Sequence, residues 1–414
     1  MTVSTENILG ISGNDSQSTL GLVYQLIEQV GPLSRIKIAE YAHLAPASIT
    51  KITRQLLPLG VIREVDAQAS TGGRRAINLS TNPDLHQMVA IRLGRQHLHL
   101  GLCNLAGEEL ASHTVSLSEV PDGEALLTQL THETSLFLSS HKRKAKDVVA
   151  IGITSPGLLN SKTGVIRYLP HIDLTEPLEL VKHLESTFGV PCYLGNSIRA
   201  LALAEHYFGS ARDTKDVVVV RVHNGIGAGI IIDGAVLMGQ DQNRGEIGHI
   251  QVDPLGERCH CGNFGCLETI ASNQAIVKRV NHLFDSGYNS ALNKNDLTMS
   301  HICAAANKGD ELAQRVLKEV AEAMGKALAA TINLLNPQKI VIGGYITEAW
   351  QVVEPVLKAT LERQTLNNFL SDLKLEPSKL ERRSLLASFA LVRRALINGE
   401  LLHHMIDQRS TKES

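Results

Sequence analysis

The sequence predicts an α/β fold that follows a compact N-terminal unit of three helices and two short strands. Up to about residue 62, apolar residues recur at the spacing of a helix. From residue 88, short apolar strands such as 148–155 and 217–222 alternate with amphipathic helices. A chain of 414 residues is expected to form two or three domains. We predict domains at 1–81, at 82–195 together with 384–414, and at 196–383.

Composition predicts a cytoplasmic, globular protein. Hydrophobic residues make up 43% of the chain, charged residues 20%, and the net charge is −2. A chain with this charge cannot coat nucleic acid along its whole surface, so any DNA contact requires a local basic patch. The first residues have neither the basic nor the apolar region of a signal peptide. No run of 18 apolar residues predicts a membrane span.

Capping signals divide the N-terminal unit into three helices. Gly31-Pro32 ends the first helix, Ser34 can cap the second, and Pro46 suits the first position of the third, which Gly60 ends. The predicted buried positions are Leu20, Val23, Tyr24, Ile27, Ile38, Ala39, Ala42, Ile49, Ile52, Leu56 and Leu59. Two short strands around Gly72-Gly73-Arg74-Arg75 then predict a wing. This order is that of a winged helix-turn-helix.

The third helix carries the side chains expected to read DNA. Opposite its apolar stripe lie Ser48, Thr50, Lys51, Thr53, Arg54 and Gln55, whose hydroxyl, amide and cationic groups suit phosphates and base edges. Residues 34–63 contain five basic side chains and one acidic, a local balance of +4. We predict DNA contacts from Arg35, Ser48, Thr50, Lys51, Arg54, Arg74 and Arg75. The alternative is a plain three-helix bundle with a solvated polar face and a solvated Arg-Arg turn.

A metal site is predicted where three of the six cysteines lie within eight residues. Cys259, Cys261 and Cys266 suit tetrahedral zinc, and His249 can supply the fourth ligand. His260 is the other candidate, although a side chain between two ligands would point away from an ion that both hold. Four protein ligands leave no position for water, so one structural Zn²⁺ per chain is expected. The alternative is three buried thiols without a metal.

These motifs together resemble the ROK family of repressors and sugar kinases over nearly the whole chain. The resemblance lies in Gly225-Ile-Gly227-Ala-Gly229, in Gly245 to His249 and in the cysteine cluster. It implies an actin/hexokinase-like fold of two α/β domains with a sugar in the cleft, and it selects His249 as the fourth zinc ligand. The residues that the resemblance assigns to the sugar are Gly157, Asn196, Glu246, His249 and Glu268.

Two departures from the family's kinase pattern predict that the chain is not an enzyme and has no catalytic residues. Family kinases carry an Asp-x-Gly-Gly-Thr phosphate loop, but here Arg92 replaces its aspartate and Arg95 its second glycine. Arg95 places a side chain where the backbone of a kinase approaches phosphate. Ser197 stands where the kinases carry the aspartate base, and a serine cannot accept the hydroxyl proton as a carboxylate does.

The resemblance further implies a repressor of N-acetylglucosamine uptake and catabolism genes that N-acetylglucosamine-6-phosphate releases from operator DNA. It is carried by residues 44–56, 69–76, 203–209 and 256–268. The alternative is a glucose-responsive repressor sequestered by a transporter of the phosphotransferase system, for which the final helix, Leu385 to Ile406, is a candidate contact. That helix could equally pack in the core. Arg92, Arg95, Arg199 and His223 are candidate phosphate ligands by position. A homodimer or homotetramer is expected, because two DNA heads must reach two half-sites.

Overall fold

The computed structural model describes residues 17–65, 77–117, 120–170, 172–212, 214–238, 244–380, 383 and 385–413. The chain divides into two compact units. The first unit comprises Met1–Ala200 and Ser384–Ser414, and the second comprises Leu201–Arg383.

The N-terminal helices begin and end where their caps predicted. They are α1 (Thr19–Val30), α2 (Arg35–Ala42) and α3 (Pro46–Leu59). The Ser34 hydroxyl accepts a hydrogen bond from the Lys37 N–H, Pro46 opens α3, and Gly60 ends it in the left-handed conformation. The predicted apolar positions are buried, except that Ala42 is half-buried. The periodicity therefore located this small core correctly.

A three-stranded sheet follows the three helices. Its order is β1 (Leu33–Ser34), β3 (Asn78–Thr81) and β2 (Ile62–Val65), with both pairings antiparallel. Strands β2 and β3 are the two strands predicted on either side of the wing. The tip with Arg74 and Arg75 lies outside the described residues. We call residues 17–81 of the described chain the head.

The larger sheet of the first unit has the order β10-β7-β4-β5-β6. These strands are β4 (Gln87–Leu93), β5 (His97–Asn104), β6 (Glu109–Ser116), β7 (Val148–Ser155) and β10 (Cys192–Asn196). Strands β4 and β5 pair as an antiparallel hairpin. Because β4, β7 and β10 are parallel, their carboxyl ends meet at one edge of the sheet. The remaining elements of this unit are α4 (Gly123–Ser140), β8 (Leu158–Asn160), β9 (Val165–Tyr168) and α5 (Leu180–Phe188).

The predicted single helix from Leu385 to Ile406 is wrong, because Gly399 divides it. Gly399 has a φ of 85° and ends a first helix, after which a second begins at Glu400. The first of the two, Leu386–Asn398, is almost entirely buried and packs across the sheet of the first unit. The core-packing interpretation of this segment is therefore confirmed for its first half.

Close backbone approach explains why this buried helix can lie so near the sheet. A Cβ on Gly152 of β7 would lie 2.2 Å from the carbonyl oxygen of Ser388. A Cβ on Gly195 of β10 would lie 2.7 Å from Leu391 Cδ2. Beside these glycines, the hydroxyls of Thr154 and Ser388 lie 2.9 Å apart, and Ser388 Oγ donates to the carbonyl oxygen of Ile91 at 2.7 Å. The helix thus contacts β4, β7 and β10.

The second unit has its own five-stranded sheet, in the order β13-β12-β11-β14-β15. Its strands are β11 (Val217–Val222), β12 (Ile226–Ile232), β13 (Ala235–Val236), β14 (Lys339–Gly343) and β15 (Lys374–Pro377). Helix α6 (Ser197–Phe208) crosses from the first unit into this one along the chain. The helices after it are α7 (Leu267–Ala271), α8 (Asn273–Asp285), α9 (Met299–Asn307), α10 (Glu311–Leu335), α11 (Trp350–Gln364) and α12 (Asn367–Leu370). The final two helices of the chain are then α13 (Leu386–Asn398) and α14 (Glu400–Glu413).

The hydrophobic core of the second unit centres on α10, which is buried along most of its length. Strands β11 and β12 pair as an antiparallel hairpin. In the part of the chain that the structure describes, no helix is both long and apolar enough to cross a membrane.

Candidate functional site

Helix α3 presents a polar face to solvent. Ser48, Thr50, Lys51 and Arg54 are all exposed, as the helical pattern predicted. Thr53, which we placed on the same face, is fully buried, so that placement is wrong. Its Oγ1 accepts a hydrogen bond from Arg35 Nε at 3.1 Å, which explains why a polar side chain is tolerated there.

Arg35 is held within the head rather than extended from it. Besides the bond to Thr53, its Nη2 donates to Glu64 Oε1 at 2.9 Å across to strand β2. No local motif predicted this pair, because 29 residues separate the two side chains. An arginine already engaged in two contacts has less freedom to reach a phosphate than Lys51 or Arg54.

Four side chains in the second unit form a compact set of metal-ligand atoms. One ligand atom from each of His249, Cys259, Cys261 and Cys266 lies within 4.8 Å of the others. Cys259 Sγ is 3.6 Å from His249 Nδ1, and Cys261 Sγ is 3.7 Å from Cys266 Sγ. A donor set of three thiols and one imidazole at this separation fits a tetrahedral metal ion. The cluster could therefore bind a metal.

Short loops bring these ligands together. His249 ends a 3₁₀ turn (Ile247–His249), and the Leu267 N–H donates to the carbonyl oxygen of Ile250 just beyond it. The Cys259 N–H donates to the Asn263 carbonyl oxygen at 2.7 Å, closing a tight loop that turns the chain back toward Cys266. Cys266 itself immediately precedes α7. The ligands therefore depend on local backbone bonds rather than on distant packing.

The thiols of the cluster differ in their acidity. Burial, followed by the neighbouring thiols Cys261 and Cys259, raises the pKa of Cys266 to about 12. A hydrogen bond from the backbone of Asn263 lowers the pKa of the exposed Cys261. A buried thiol beside two others favours its neutral form, and a bound divalent cation would reverse this preference by favouring the thiolate.

His260 belongs to a second group that lies next to the first. Its Nδ1 is 3.3 Å from Glu268 Oε1 and 3.8 Å from Cys259 Sγ, while 72% of its side chain is exposed. His249, His260 and Glu268 also lie close enough to share an ion. The set with three thiols contains His249 rather than His260.

Two of the predicted sugar residues border this loop. Glu268 is on α7, and its Oε2 accepts a hydrogen bond from the Ile226 N–H at 2.9 Å at the start of β12. This bond fixes one carboxylate oxygen, and the side chain stays 15% exposed. Glu246 is exposed and directly precedes the turn that carries His249. Glu268 therefore contacts the cysteine loop through His260, and Glu246 adjoins His249 along the chain.

Gly157 and Asn196, two further predicted sugar residues, meet in the first unit, where the carboxyl ends of the parallel strands lie. Asn196 Nδ2 donates to the Gly157 carbonyl oxygen at 3.2 Å, and Asn196 Oδ1 accepts from the Ile198 N–H at 3.0 Å. Gly157 has a φ of 83°, and a Cβ there would lie 2.1 Å from the Tyr168 carbonyl oxygen. Only glycine is suited to this position.

A cavity of about 1060 Å³ in the second unit was not predicted. It is lined by residues of α8 and of the start of α9, together with Tyr345. None of the predicted sugar or metal residues lines it. His223, a positional candidate for phosphate, stacks its ring 5.7 Å from Tyr345. Arg199, another candidate, is buried in α6.

Comparison with known proteins agrees with this arrangement. The model of the ROK family matches residues 88–395. The chain is 50% identical to the DNA-binding transcriptional dual regulator NagC of Escherichia coli over 93% of its own length and 94% of that protein. It is 34% identical to the transcriptional repressor Mlc of Escherichia coli, over 97% and 99% of the two chains. The crystal structure of a ROK family transcriptional regulator, described as a homologue of Mlc, superposes with a TM-score of 0.88 at 40% identity, covering 95% and 99% of the two chains.

Proposed function

Since the chain belongs to the ROK family, we propose that it is a sugar-responsive, DNA-binding transcriptional repressor. The observation that carries this proposal is the exposed polar face of α3, on a head that precedes the matched family region. The NagC and Mlc relatives are aligned over more than nine-tenths of this chain, and both are described as DNA-binding. A head of this architecture inserts its third helix into the major groove.

The proposed DNA-binding domain is a winged helix-turn-helix at residues 1–81. Ser48, Thr50, Lys51 and Arg54 contact phosphates or base edges, with Arg74 and Arg75 at the wing tip. Arg35 supports α3 through Thr53 and contributes less to DNA contact. The remaining proposed domains are 82–195 with 384–414, and 196–383. Two heads, brought together in a homodimer or homotetramer, read two half-sites.

The proposed inducer is N-acetylglucosamine-6-phosphate, and the proposed targets are genes of N-acetylglucosamine uptake and catabolism. The support is the 50% identity to relatives, one of which is described as the N-acetylglucosamine repressor. Gly157 and Asn196 of the first unit and Glu246, His249 and Glu268 of the second unit are the proposed sugar contacts. The second candidate, supported by 34% identity to Mlc, is a glucose-responsive repressor sequestered by a transporter of the phosphotransferase system.

We further propose one structural Zn²⁺ per chain, held by His249, Cys259, Cys261 and Cys266. Four protein ligands leave the metal no open position, so its role is to fix the loop rather than to activate water. Because Glu268 and Glu246 border the loop, the ion would also hold these carboxylates in place for sugar hydroxyls.

Phosphoryl transfer is not proposed. Ser197 opens α6 where family kinases carry a carboxylate base, and Arg95 occupies the hairpin where they carry glycine. Without a base for the sugar hydroxyl, the chemistry of a kinase lacks its proton acceptor. An assay of ATP consumption with N-acetylglucosamine should therefore give no turnover above a blank without protein.

A fluorescence anisotropy titration with a fluorescent duplex, selected from a random library with the purified chain, tests the main proposal. We expect tight binding that weakens as salt rises and as N-acetylglucosamine-6-phosphate is added. The double variant Lys51→Ala/Arg54→Ala should lose affinity, whereas Arg143→Ala, an exposed arginine outside the head, should not. Absence of duplex binding at low salt would refute the proposal. Unchanged DNA affinity at saturating phosphosugar would favour the transporter-sequestered alternative.

A further inference from the structure

The hairpin between β4 and β5 carries two arginines and two histidines within eight residues. Gly94 N–H donates to the His97 carbonyl oxygen at 2.9 Å, so Arg95 and Gln96 alone form the tip. Arg92 precedes the tip on β4, and His97 and His99 follow it on β5. We call Arg92, Arg95, His97 and His99 the hairpin cations, although each histidine is charged only when protonated.

The neighbouring strand β6 pairs the two histidines of this group with uncharged residues. The residues of β6 that pair with His97 and His99 are Ser116 and Thr114, both of them uncharged. Thr114 Oγ1 lies 3.1 Å from His99 Nδ1. Burial, followed by the charges of Arg92 and His97, lowers the pKa of His99, as expected where positive groups are crowded.

Arg95 has one guanidinium donor, Nε, that the protein encloses. Its Nε is shielded from solvent and makes no hydrogen bond with any residue that the structure describes. An enclosed guanidinium donor without an acceptor costs free energy. A charged ligand oxygen would satisfy it, because guanidinium groups bind phosphate and carboxylate through paired N–H donors.

The register of the sheet places this hairpin beside the two sugar residues of the same unit. Arg92 on β4 pairs with Thr154 on β7, and Thr154 pairs with Gly195 on β10. Arg92, Thr154 and Gly195 thus form one row across the three strands. Asn196 follows Gly195 directly, while Arg95 and Gly157 each lie three residues after the member of the row on their own strand. Two strand spacings, about 10 Å, separate β4 from β10. A phosphohexose has a comparable length, so one such molecule can reach both the hairpin with Arg95 and the pair Gly157 and Asn196.

We propose that Arg95, with Arg92, binds the phosphate of a phosphosugar whose ring contacts Gly157 and Asn196. This inference rests on the proposed function and specifies how that site distinguishes a phosphorylated sugar from a free one. The serine at position 197 supports it, because a carboxylate at the first position of α6 would repel a phosphate at this edge. The ligand class is a hexose or amino-sugar monophosphate.

Isothermal titration of the full chain with N-acetylglucosamine-6-phosphate and with N-acetylglucosamine tests this site. We expect wild type to prefer the phosphosugar by at least about tenfold, since charge-assisted bonds carry the difference. Arg95→Gln should weaken phosphosugar binding by about ten- to a hundredfold and leave the affinity for free sugar unchanged. Arg95→Lys should retain part of the preference, because it keeps the charge but not the paired donors.

The controls separate this inference from the function on which it rests. Arg143→Gln removes an exposed arginine of the same unit and should change neither affinity. Binding of duplex DNA without sugar by Arg95→Gln verifies that this variant is folded. Equal wild-type affinity for the two sugars, or an Arg95→Gln variant that keeps the full preference, would overturn the phosphate site and leave DNA binding intact. Failure of wild type to bind DNA would instead refute the repressor proposal.

Discussion

Replacing Arg393 with methionine should weaken the packing of helix α1 of the head on helix α13. Arg393 Nε donates to Glu28 Oε1 at 3.1 Å, and Nη2 donates to Oε2 at 2.7 Å, joining α13 to α1. The side chains of Arg393 and Glu28 are only 10% and 17% exposed. Burial, and then the charge of Glu28, raises the pKa of the adjacent Tyr24, which indicates that solvent screens this region weakly. Methionine preserves much of the packing volume but leaves the carboxylate without its cation.

Removing one partner of a fully buried ion pair costs about 3–5 kcal/mol. Both side chains here keep some exposure. We therefore expect Arg393→Met to lower the free energy needed to separate α1 from α13 by about 2–3 kcal/mol. This cost corresponds to roughly 30- to 150-fold faster amide exchange in α1. The double variant Glu28→Gln/Arg393→Met removes both charges. Its loss of free energy should be about 1–2 kcal/mol smaller than the sum of the losses in the two single variants.

Hydrogen exchange measured by mass spectrometry distinguishes α1 from the rest of the first unit. Arg394→Met is the matched control, because Arg394 lies beside Arg393 on α13 and has no ion pair among the described residues. That control should leave exchange in α1 unchanged. Two results would refute the reasoning: unchanged exchange in α1 of Arg393→Met, or a double variant whose cost equals the sum of the singles.

Three further predictions concern the metal, the DNA face and the cap of α10. Cys259→Ser should lower the zinc content measured by mass spectrometry well below one per chain, whereas serine at the buried Cys303 should not. Lys51→Ala should reduce the slope of log DNA affinity against log salt concentration by about one counterion. Arg35→Ala should act mainly on thermal stability and less on this slope. Burial raises the pKa of Asp310, but hydrogen bonds from the Ala313 and Ala291 N–H groups and the Ser290 hydroxyl outweigh it and hold the pKa below 3.8. Its stabilisation is therefore present above pH 3.8 and lost below it, so Asp310→Asn should flatten the fall of stability with acid, and an unchanged acid profile would contradict this.

Short-range signals predicted the elements of the head well. Ser34, Pro46 and Gly60 cap or end their helices because capping depends on hydrogen bonds within one turn. The cluster that could bind a metal was predictable for the same reason, since three of its four members lie within eight residues. In both cases the interacting groups are close in sequence, so their spacing carries the geometry.

Contacts between distant segments were not predictable from periodicity. The helical pattern places Thr53 on the polar side of α3. In the structure Thr53 is buried, because Arg35, which also pairs with Glu64 of β2, lies over its hydroxyl. Gly399 lies inside an apolar run, and only its positive φ shows that the final helix is two helices. The Glu28–Arg393 pair joins residues 365 positions apart, and neither side chain belongs to a local motif.

Helix α13 provides the physical connection between the candidate sugar residues of the first unit and the head. One part of it lies against Gly152 of β7 and Gly195 of β10. Strand β7 ends two residues before Gly157, and β10 ends at Asn196. Arg393, two residues beyond Leu391, holds α1 through a shielded ion pair. A rigid helix with close backbone contact at one place and a directional pair at the other cannot shift against the strands without changing the surroundings of α1. A sugar that binds with different affinity to two positions of these strands therefore has a direct route to the DNA-reading helices.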